Sequence, residues 1–163
     1  MRRILIGIVL VAALVWTVGA VRFALASPEE RIRMRIDRMA IGFNTTKMAG
    51  VLGGFAHEYR DDDQEIDRDR VKEILLYLFF REIDPLTKRF RLRVEVPEPE
   101  FSVELDGADR SKAVVNMRAV FYERDGDSEE LYWDARVTAD MVEGEDGWQL
   151  LRTRKVNHSD RKR

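Results

Sequence analysis

The chain has no cysteine and only two histidines. Without cysteine there are no disulfides and no thiolate catalysis, an absence that fits either side of a bacterial inner membrane. With only two histidines, a histidine-rich metal site is excluded and zinc is a poor candidate. The glycines Gly50, Gly53 and Gly54 lack the lysine of a phosphate-binding loop. We therefore expect neither a metal nor a cofactor.

Charge of one sign is also lacking, because 28 basic residues face 30 acidic ones and leave a net charge of -2. This balance favours neither nucleic acid nor an acidic substrate as a partner. Charged residues make up 36% of the chain and hydrophobic residues 45%, a combination typical of a folded domain rather than a disordered one. A length of 163 residues suits one domain plus an anchor.

The amino-terminal segment carries an uncharged apolar run from Ile4 to Val21, preceded by two arginines. At about 1.5 Å per residue a helix over this run spans roughly 27 Å, about one hydrocarbon core. We expect a single-pass protein of the inner membrane with its domain on the non-cytoplasmic side. The arginines between Arg22 and Arg38 argue for the opposite orientation. The alternative is a secreted or periplasmic protein, cleaved after Ala26 in an A-x-A pattern.

Three amphipathic helices are predicted between residues 28 and 85. The first begins at Ser27-Pro28, because serine caps a helix and proline suits its first turn. The third is capped by Asp67 or Asp69 and ends at Asp84-Pro85. Their apolar stripes at helical spacing are, in order, Ile32, Ile36, Met39, Ala40 and Phe43; Met48, Val51, Leu52 and Phe55; and Val71, Ile74, Leu75, Leu78 and Phe79.

The carboxy-terminal half alternates apolar and polar residues with the period of β-strands. The pattern predicts lead strands within residues 90–96 and 101–105, followed by three long strands at residues 112–123, 130–141 and 148–156. In the last strand the apolar phase changes midway, which a bulge near Leu151 would explain. The prediction is an α+β domain in which three helices pack on a curved antiparallel sheet of about five strands.

This order of elements, with Asp146-Gly147-Trp148 opening the last strand, resembles the nuclear transport factor 2-like superfamily. That superfamily has a cone-shaped α+β fold that ketosteroid isomerases and polyketide cyclases share. The resemblance covers residues 28–156, leaving residues 1–27 as an anchor or signal peptide and residues 157–163 as a polar tail. It implies a fold but no activity, because the superfamily includes enzymes, ligand binders and scaffold domains.

The candidate residues for catalysis and ligand binding are few. Ketosteroid isomerase chemistry needs an Asp base with Tyr and protonated Asp donors, and the predicted inner face of the sheet carries no carboxylate. We therefore expect no enzyme. His57 and Tyr59 fall at the end of the second helix, where the resemblance places the mouth of the cone, and Trp133 is a candidate pocket wall. The plainer interpretation of the pair is a surface histidine and a tyrosine that packs by its ring.

The predicted outer face of the sheet carries Val120, Tyr122 and Tyr132 among arginines and acids. Its half-apolar character suits an interface with a protein partner or a second copy, while the arginines are expected to form cross-strand ion pairs. The first functional hypothesis is a membrane-anchored, non-catalytic scaffold in the bacterial envelope. The alternative is a binder of a small apolar ligand, and an isomerase or cyclase comes last.

Overall fold

The computed structural model describes residues 26–126 and 128–159. The predicted span from Ile4 to Val21 lies outside these residues, and no helix within them is long and apolar enough to cross a membrane. The chain divides into two units, Met1–Arg31 and Ile32–Arg163. The second unit contains the sheet and the cavity described below.

Helix α1 (Pro28–Asn44) begins with reciprocal capping by its first residues. The backbone N–H of Glu30 donates to the Ser27 hydroxyl at 3.2 Å, and the Ser27 N–H donates to the Glu30 carboxylate at 2.8 Å. This arrangement is a capping box, which satisfies N–H groups that have no partner within the helix. The predicted serine cap is therefore confirmed.

Two shorter helices follow, α2 (Met48–Leu52) and α3 (Arg68–Arg81). Helices α1 and α2 cross at Gly42 and Gly50, where a Cβ added to Gly42 would lie 2.9 Å from the Gly50 carbonyl carbon. Only glycine permits so close an approach of two backbones. Of the two predicted caps of α3, Asp67 is the one used, since its carboxylate accepts from the Arg70 N–H at 2.8 Å.

The sheet is mixed and has six strands, not the antiparallel arrangement of about five that the sequence predicts. The strands are β1 (Phe55–Asp61), β2 (Leu92–Glu95), β3 (Ser102–Leu105), β4 (Lys112–Asp125), β5 (Ser128–Gly144) and β6 (Gly147–Ser159). Their order is β1-β6-β5-β4-β2, and β3 also pairs with β4. A 3₁₀ turn, Glu98–Glu100, separates β2 from β3. Strand β6 continues beyond residue 156, where the predicted domain ends.

Strand β1 is the element that the sequence analysis assigned wrongly, as the end of the second helix. It runs parallel to β6, and the Leu150 N–H donates to the Gly54 carbonyl at 2.7 Å. At the other end of β1, the Asp62 N–H donates to the Thr153 carbonyl at 3.0 Å. The partner strand is distant in sequence, so no local pattern signals the pairing.

Two of the β-bulges in the sheet change which side chains face the helices. Asp140 pairs with Arg152 and Met141 with Leu150, which leaves Leu151 unopposed and confirms the predicted bulge. A second bulge lies between β4 and β5, where Phe121 pairs with Trp133 and Tyr122 with Leu131. Tyr132 is the extra residue there, and its altered direction was not predicted.

The helices cover one face of the sheet, and the buried side chains form two clusters. We call the first the filled cluster, and its buried members are Ile32, Ile36, Tyr59, Ala113, Val115, Ala139, Met141, Trp148 and Leu150. We call the second the cavity cluster, and its buried members are Phe43, Val51, Leu75, Phe90, Leu92 and Val94. Helix α1 contributes to both clusters.

Candidate functional site: an apolar cavity with a charged mouth

A cavity of about 1020 Å³ lies between the helices and the sheet. Most of its wall is apolar, contributed by Ile36, Met39, Ala40, Phe43, Val51, Phe55, Val71, Leu75, Leu78, Leu92, Val94, Val96, Met117, Ala119, Phe121, Trp133 and Leu150. Ligand sites in proteins are concave, mostly apolar and commonly about 300–1,000 Å³, so this cavity has the size and character of one.

Aromatic rings line the cavity along one continuous path. The Phe121 ring centroid lies 5.0 Å from that of Trp133 and 5.7 Å from that of Phe43. Phe43 in turn meets Phe90 edge to face at 5.3 Å. These separations are those at which aromatic rings attract one another, so the rings hold one another in place and form a firm wall.

Small side chains account for the empty space. Ala40 on α1 and Ala119 on β4 both line the cavity, and the cross-strand partner of Ala119 is another alanine, Ala135. Facing layers that interdigitate need large residues opposite small ones. Here alanines line the cavity on both α1 and β4, so the helix and sheet layers leave a gap beside the contact between Phe43 and Phe121.

The mouth of the cavity is charged but balanced. The polar residues in its lining are Arg81, Glu82, Arg91, Glu123 and Tyr132. Arg91, which directly precedes β2, forms an ion pair with Glu123 on β4, and Arg81 lies 3.7 Å from the Glu82 carboxylate. The Arg81 side chain is 64% exposed and that of Arg91 is 40% exposed. These ion pairs therefore lie where the cavity meets solvent.

The chemistry available inside the cavity is narrow. Among the lining residues that the structure describes, the carboxylates are Glu82 and Glu123, and both are paired with arginine at the mouth. A general base needs to reach a proton of the bound molecule, and the interior offers it no carboxylate or imidazole among those residues. Within the described part of the chain, no group of three or more acids and histidines is placed to hold a metal ion.

The residues predicted to line a pocket lie in three different places. Trp133 is in the cavity wall. His57 is exposed on β1, and Tyr59 is buried in the filled cluster, so the two do not form a polar pair at the mouth. The Tyr59 hydroxyl lies 2.8 Å from the Thr153 hydroxyl. Burial raises the pKa of Tyr59, and the hydrogen bond with Thr153 acts in the opposite direction.

The residues predicted to form an outer interface do not share one accessible face. Val120 is buried, with 4% of its surface exposed. Tyr132 lines the cavity because the second bulge changes its direction. Tyr122 remains outside, with the Arg93 guanidinium 4.8 Å from its ring centre. An interface through Tyr122 stays a prediction.

The arginines of the outer face pair with acids on neighbouring strands, as the sequence predicts. Arg118 on β4 reaches Asp134 on β5 at 2.7 Å, and Arg154 on β6 reaches Asp140 on β5 at 2.6 Å. Hydrogen bonds to Asp134 and to Glu100 raise the pKa of Arg118. These arginines therefore contribute to the cross-strand contacts of the sheet.

The comparisons with known proteins identify a fold. No family model matches the chain, and no curated protein matches it. Among solved structures, a nuclear transport factor 2-like protein with a cystatin-like fold from Novosphingobium aromaticivorans is similar, with a TM-score of 0.62 and 14% identity over 85% of this chain and 86% of its own.

Two further structures have comparable similarity. A protein of unknown function from Mycobacterium tuberculosis has a TM-score of 0.62 and 17% identity over 79% of this chain and 70% of its own. A proposed scytalone dehydratase from N. aromaticivorans has a TM-score of 0.60 and 12% identity over 80% of this chain and 83% of its own. The domain therefore has the nuclear transport factor 2-like fold, and identities this low concern the fold alone.

Proposed function

We propose that the domain binds a small apolar molecule in its cavity. The observation that carries the proposal is the division of the lining into an apolar interior and a polar mouth. Such a site buries the body of a ligand by the hydrophobic effect and fixes its orientation with a few polar groups at one end.

The lining indicates what kind of ligand would fit. Rings pack well against rings in offset or edge-to-face geometry, and Phe43, Phe121 and Trp133 present three of them. Two arginines and two glutamates at the mouth cancel in charge, so they suit a neutral polar end, such as a hydroxyl or carbonyl, better than an ionised one. A ring-bearing apolar molecule with one neutral polar group meets both conditions.

Binding without catalysis is the form of the proposal that the described residues support. Glu82 and Glu123 are the acids of the described lining, and each would have to leave an arginine partner to act as a base. The scaffold hypothesis rests on the apolar span, the basic helix after it and a half-apolar sheet face, whose candidate interface residues are Val120, Tyr122 and Tyr132. One of these is buried and another lines the cavity, so the cavity carries the proposal instead.

Thermal-shift screening of the full chain tests the proposal. The panel contains neutral ring compounds with one hydroxyl or carbonyl and, for comparison, fatty acids of similar carbon number. A ligand that binds the folded state at about 100 times its Kd stabilises the protein by about 2.7 kcal/mol and raises the melting temperature. We expect ring compounds to raise it more than fatty acids do.

A matched pair of variants localises the binding. Ala119→Leu adds three carbons inside the cavity and should reduce the shift given by the larger ring compounds, while Ala108→Leu adds the same carbons on an exposed turn and should leave it unchanged. If no ring compound shifts the wild-type protein, or if Ala119→Leu shifts as the wild type does, the cavity is not a ligand site.

A further inference from the structure

The end of α3 and the hairpin that follows it expose large apolar side chains. Tyr77 is 55% exposed, Phe80 83% and Leu86 91%. A single exposed apolar residue is ordinary on a protein surface. Three within one short segment of chain, two of them almost fully exposed, indicate a contact surface.

The hairpin holds Leu86 outward by its own hydrogen bonds. Residues Ile83 and Phe90 form an antiparallel bridge at its base, and the Asp84 N–H donates to the Arg89 carbonyl at 2.8 Å. The Asp84 carboxylate accepts from the Leu86 and Thr87 N–H groups at 2.8 and 2.6 Å. With the backbone of the turn fixed in this way, Leu86 projects from the tip of an ordered loop.

Basic residues outnumber acidic ones around these side chains, with Arg81, Lys88 and Arg89 against Glu82 and Asp84. Arg81, Lys88 and Arg89 are all exposed. The Glu82 side chain is only 21% exposed and lies beside Arg81, and the Asp84 carboxylate is engaged within the hairpin. The surface thus combines apolar tips with a basic surround.

We propose that this surface, which we call the hairpin surface (Tyr77, Phe80, Arg81, Leu86, Lys88 and Arg89), docks on an anionic lipid bilayer. Aromatic and leucine side chains enter the boundary between headgroups and acyl chains, and nearby basic residues are attracted to anionic headgroups. A second copy fits less well, because a symmetric contact through one patch would bring its basic residues together.

The docking is independent of the proposed function, although the two adjoin. Arg81 belongs to the hairpin surface and also lines the cavity. A bilayer held by the hairpin surface would therefore lie beside the mouth, where an apolar ligand enters or leaves. Ligand binding in solution and contact with lipid are measured separately, so either can fail alone.

The experiment has to measure lipid contact at the hairpin itself. Simple binding of the full chain to vesicles is not enough, because the apolar run from Ile4 to Val21 could bind the bilayer without the hairpin. The absence of cysteine allows one dye to be attached at one chosen position. Thr87→Cys places an environment-sensitive dye beside Leu86. Gly107→Cys is the control, since nothing lies within 4 Å of a side chain added there.

The control position lies far from the hairpin surface. Lys112 follows the turn that contains Gly107, whereas Glu123, which pairs with Arg91, is near the other end of β4. Strands rise about 3.3 Å per residue, so these two ends are separated by roughly 35 Å. The control dye therefore reports on the opposite end of β4 from the hairpin surface.

The full chain is reconstituted with vesicles of phosphatidylcholine containing about one quarter phosphatidylglycerol, with and without lipids that carry a quencher in the acyl chain. We expect lipid quenching about threefold stronger at position 87 than at position 107, because docked apolar tips lie at the acyl boundary. Quenching at 87 should weaken in phosphatidylcholine alone.

Two sets of changes in the Thr87→Cys protein separate the apolar and basic contributions. Phe80→Ser with Leu86→Ser should reduce the quenching to that of position 107. Lys88→Asn with Arg89→Gln should weaken the preference for anionic lipid, because Arg81 is then the basic residue left on the hairpin surface. Asparagine tolerates the positive φ of 58° at position 88. Equal quenching at 87 and 107 in the parent protein would overturn the proposal. A dye that shifts to the blue without lipid quenching would also overturn it, because the contact would then be between copies of the chain.

Discussion

The filled cluster and the cavity cluster share α1 and the same face of the sheet, yet they pack differently. In the filled cluster Ile32 and Val115 are completely buried, and Trp148 and Met141 are nearly so. In the cavity cluster the buried residues remain slightly exposed, and beside them Phe121 and Trp133 line empty space.

The difference shows that one apolar face can serve two purposes. Close packing at native density gives stability, since every buried atom has neighbours to attract it. Alanines beside the cavity cluster make fewer such contacts and leave the cavity open. Substitutions that are alike in chemistry should therefore have different effects in the two clusters.

The largest expected difference concerns two tryptophans. Trp148→Ala should lower the free energy of unfolding by about 3–5 kcal/mol, because it removes a fully buried ring from the filled cluster. Trp133→Ala makes the same chemical change in the cavity wall and should cost roughly half as much, since one side of that ring already faces space.

Urea unfolding of the full chain measures both losses. If Trp148→Ala does not fold, Val115→Ala replaces it, with an expected loss of about 1–3 kcal/mol. Equal losses for the two tryptophans would mean that the cavity end is packed as densely as the other.

Asn44 should matter for the attachment of β2, which supplies cavity-lining residues. Its side-chain amide donates to the Val94 carbonyl at 2.9 Å, and its carbonyl accepts from the Val94 N–H at 2.7 Å. Asn44→Ala leaves two backbone groups without partners and should cost about 2 kcal/mol in the free energy of unfolding. Asn44→Asp retains the acceptor but places a carboxylate oxygen against the Val94 carbonyl, so its loss in a urea titration should be at least as large. If Asn44→Ala leaves the free energy of unfolding unchanged, water replaces the amide as the partner of Val94.

Adding volume should show the same contrast between the clusters. Ala139→Leu inserts three carbons where Ala139 is fully buried, and overpacking there should cost about 1–3 kcal/mol. Ala119→Leu inserts the same atoms into the cavity and should change stability by less than about 0.5 kcal/mol. Thermal unfolding of the two variants side by side checks this, and a large loss at position 119 would argue that the cavity is not empty space.

The smallest effect is a change of stability with pH at Tyr59. Burial raises the pKa of Tyr59 in the folded state above its value in the unfolded chain, which is about 10. Below that pH the contribution of Tyr59 to the free energy of unfolding is fully present. As pH rises further, the unfolded chain loses the proton first and stability falls. Tyr59→Phe with Thr153→Val, which also replaces the hydroxyl partner, should lose less stability between about pH 9 and 11. If the free energy of unfolding of this double variant falls with pH as steeply as that of the wild type, the loss of stability does not come from Tyr59.

Much of the sheet follows from local pattern alone. Alternation of apolar and polar residues predicts β4, β5 and β6, and the change of phase predicts the bulge at Leu151. Capping chemistry at Ser27 and Asp67 predicts the beginnings of α1 and α3. These features depend on neighbours within a few residues, and such interactions are visible in a sequence.

The site is less predictable because it depends on residues that are close only after folding. Trp133 could be proposed as a pocket wall from its phase on β5, but Tyr132 could not, because its bulge is defined by register against β4. His57 and Tyr59 were placed at a helix end, since nothing near them shows that β6 would pair with them. Alanines at 40, 119 and 135 were a signal for the cavity that was present but not interpreted.

The sequence by itself determined the α+β class, the three helices and the long strands, because helical and strand periodicity are properties of consecutive residues. Only the tertiary structure decided that β1 joins the sheet in parallel, that Val120 is buried and that Tyr132 turns into the cavity. It also decided that alanines from different elements face one another around an empty volume. Whether the space between the helices and the sheet is filled depends on which side chains meet across the two layers. Strand register and packing determine those contacts, and a pattern of consecutive residues does not encode them.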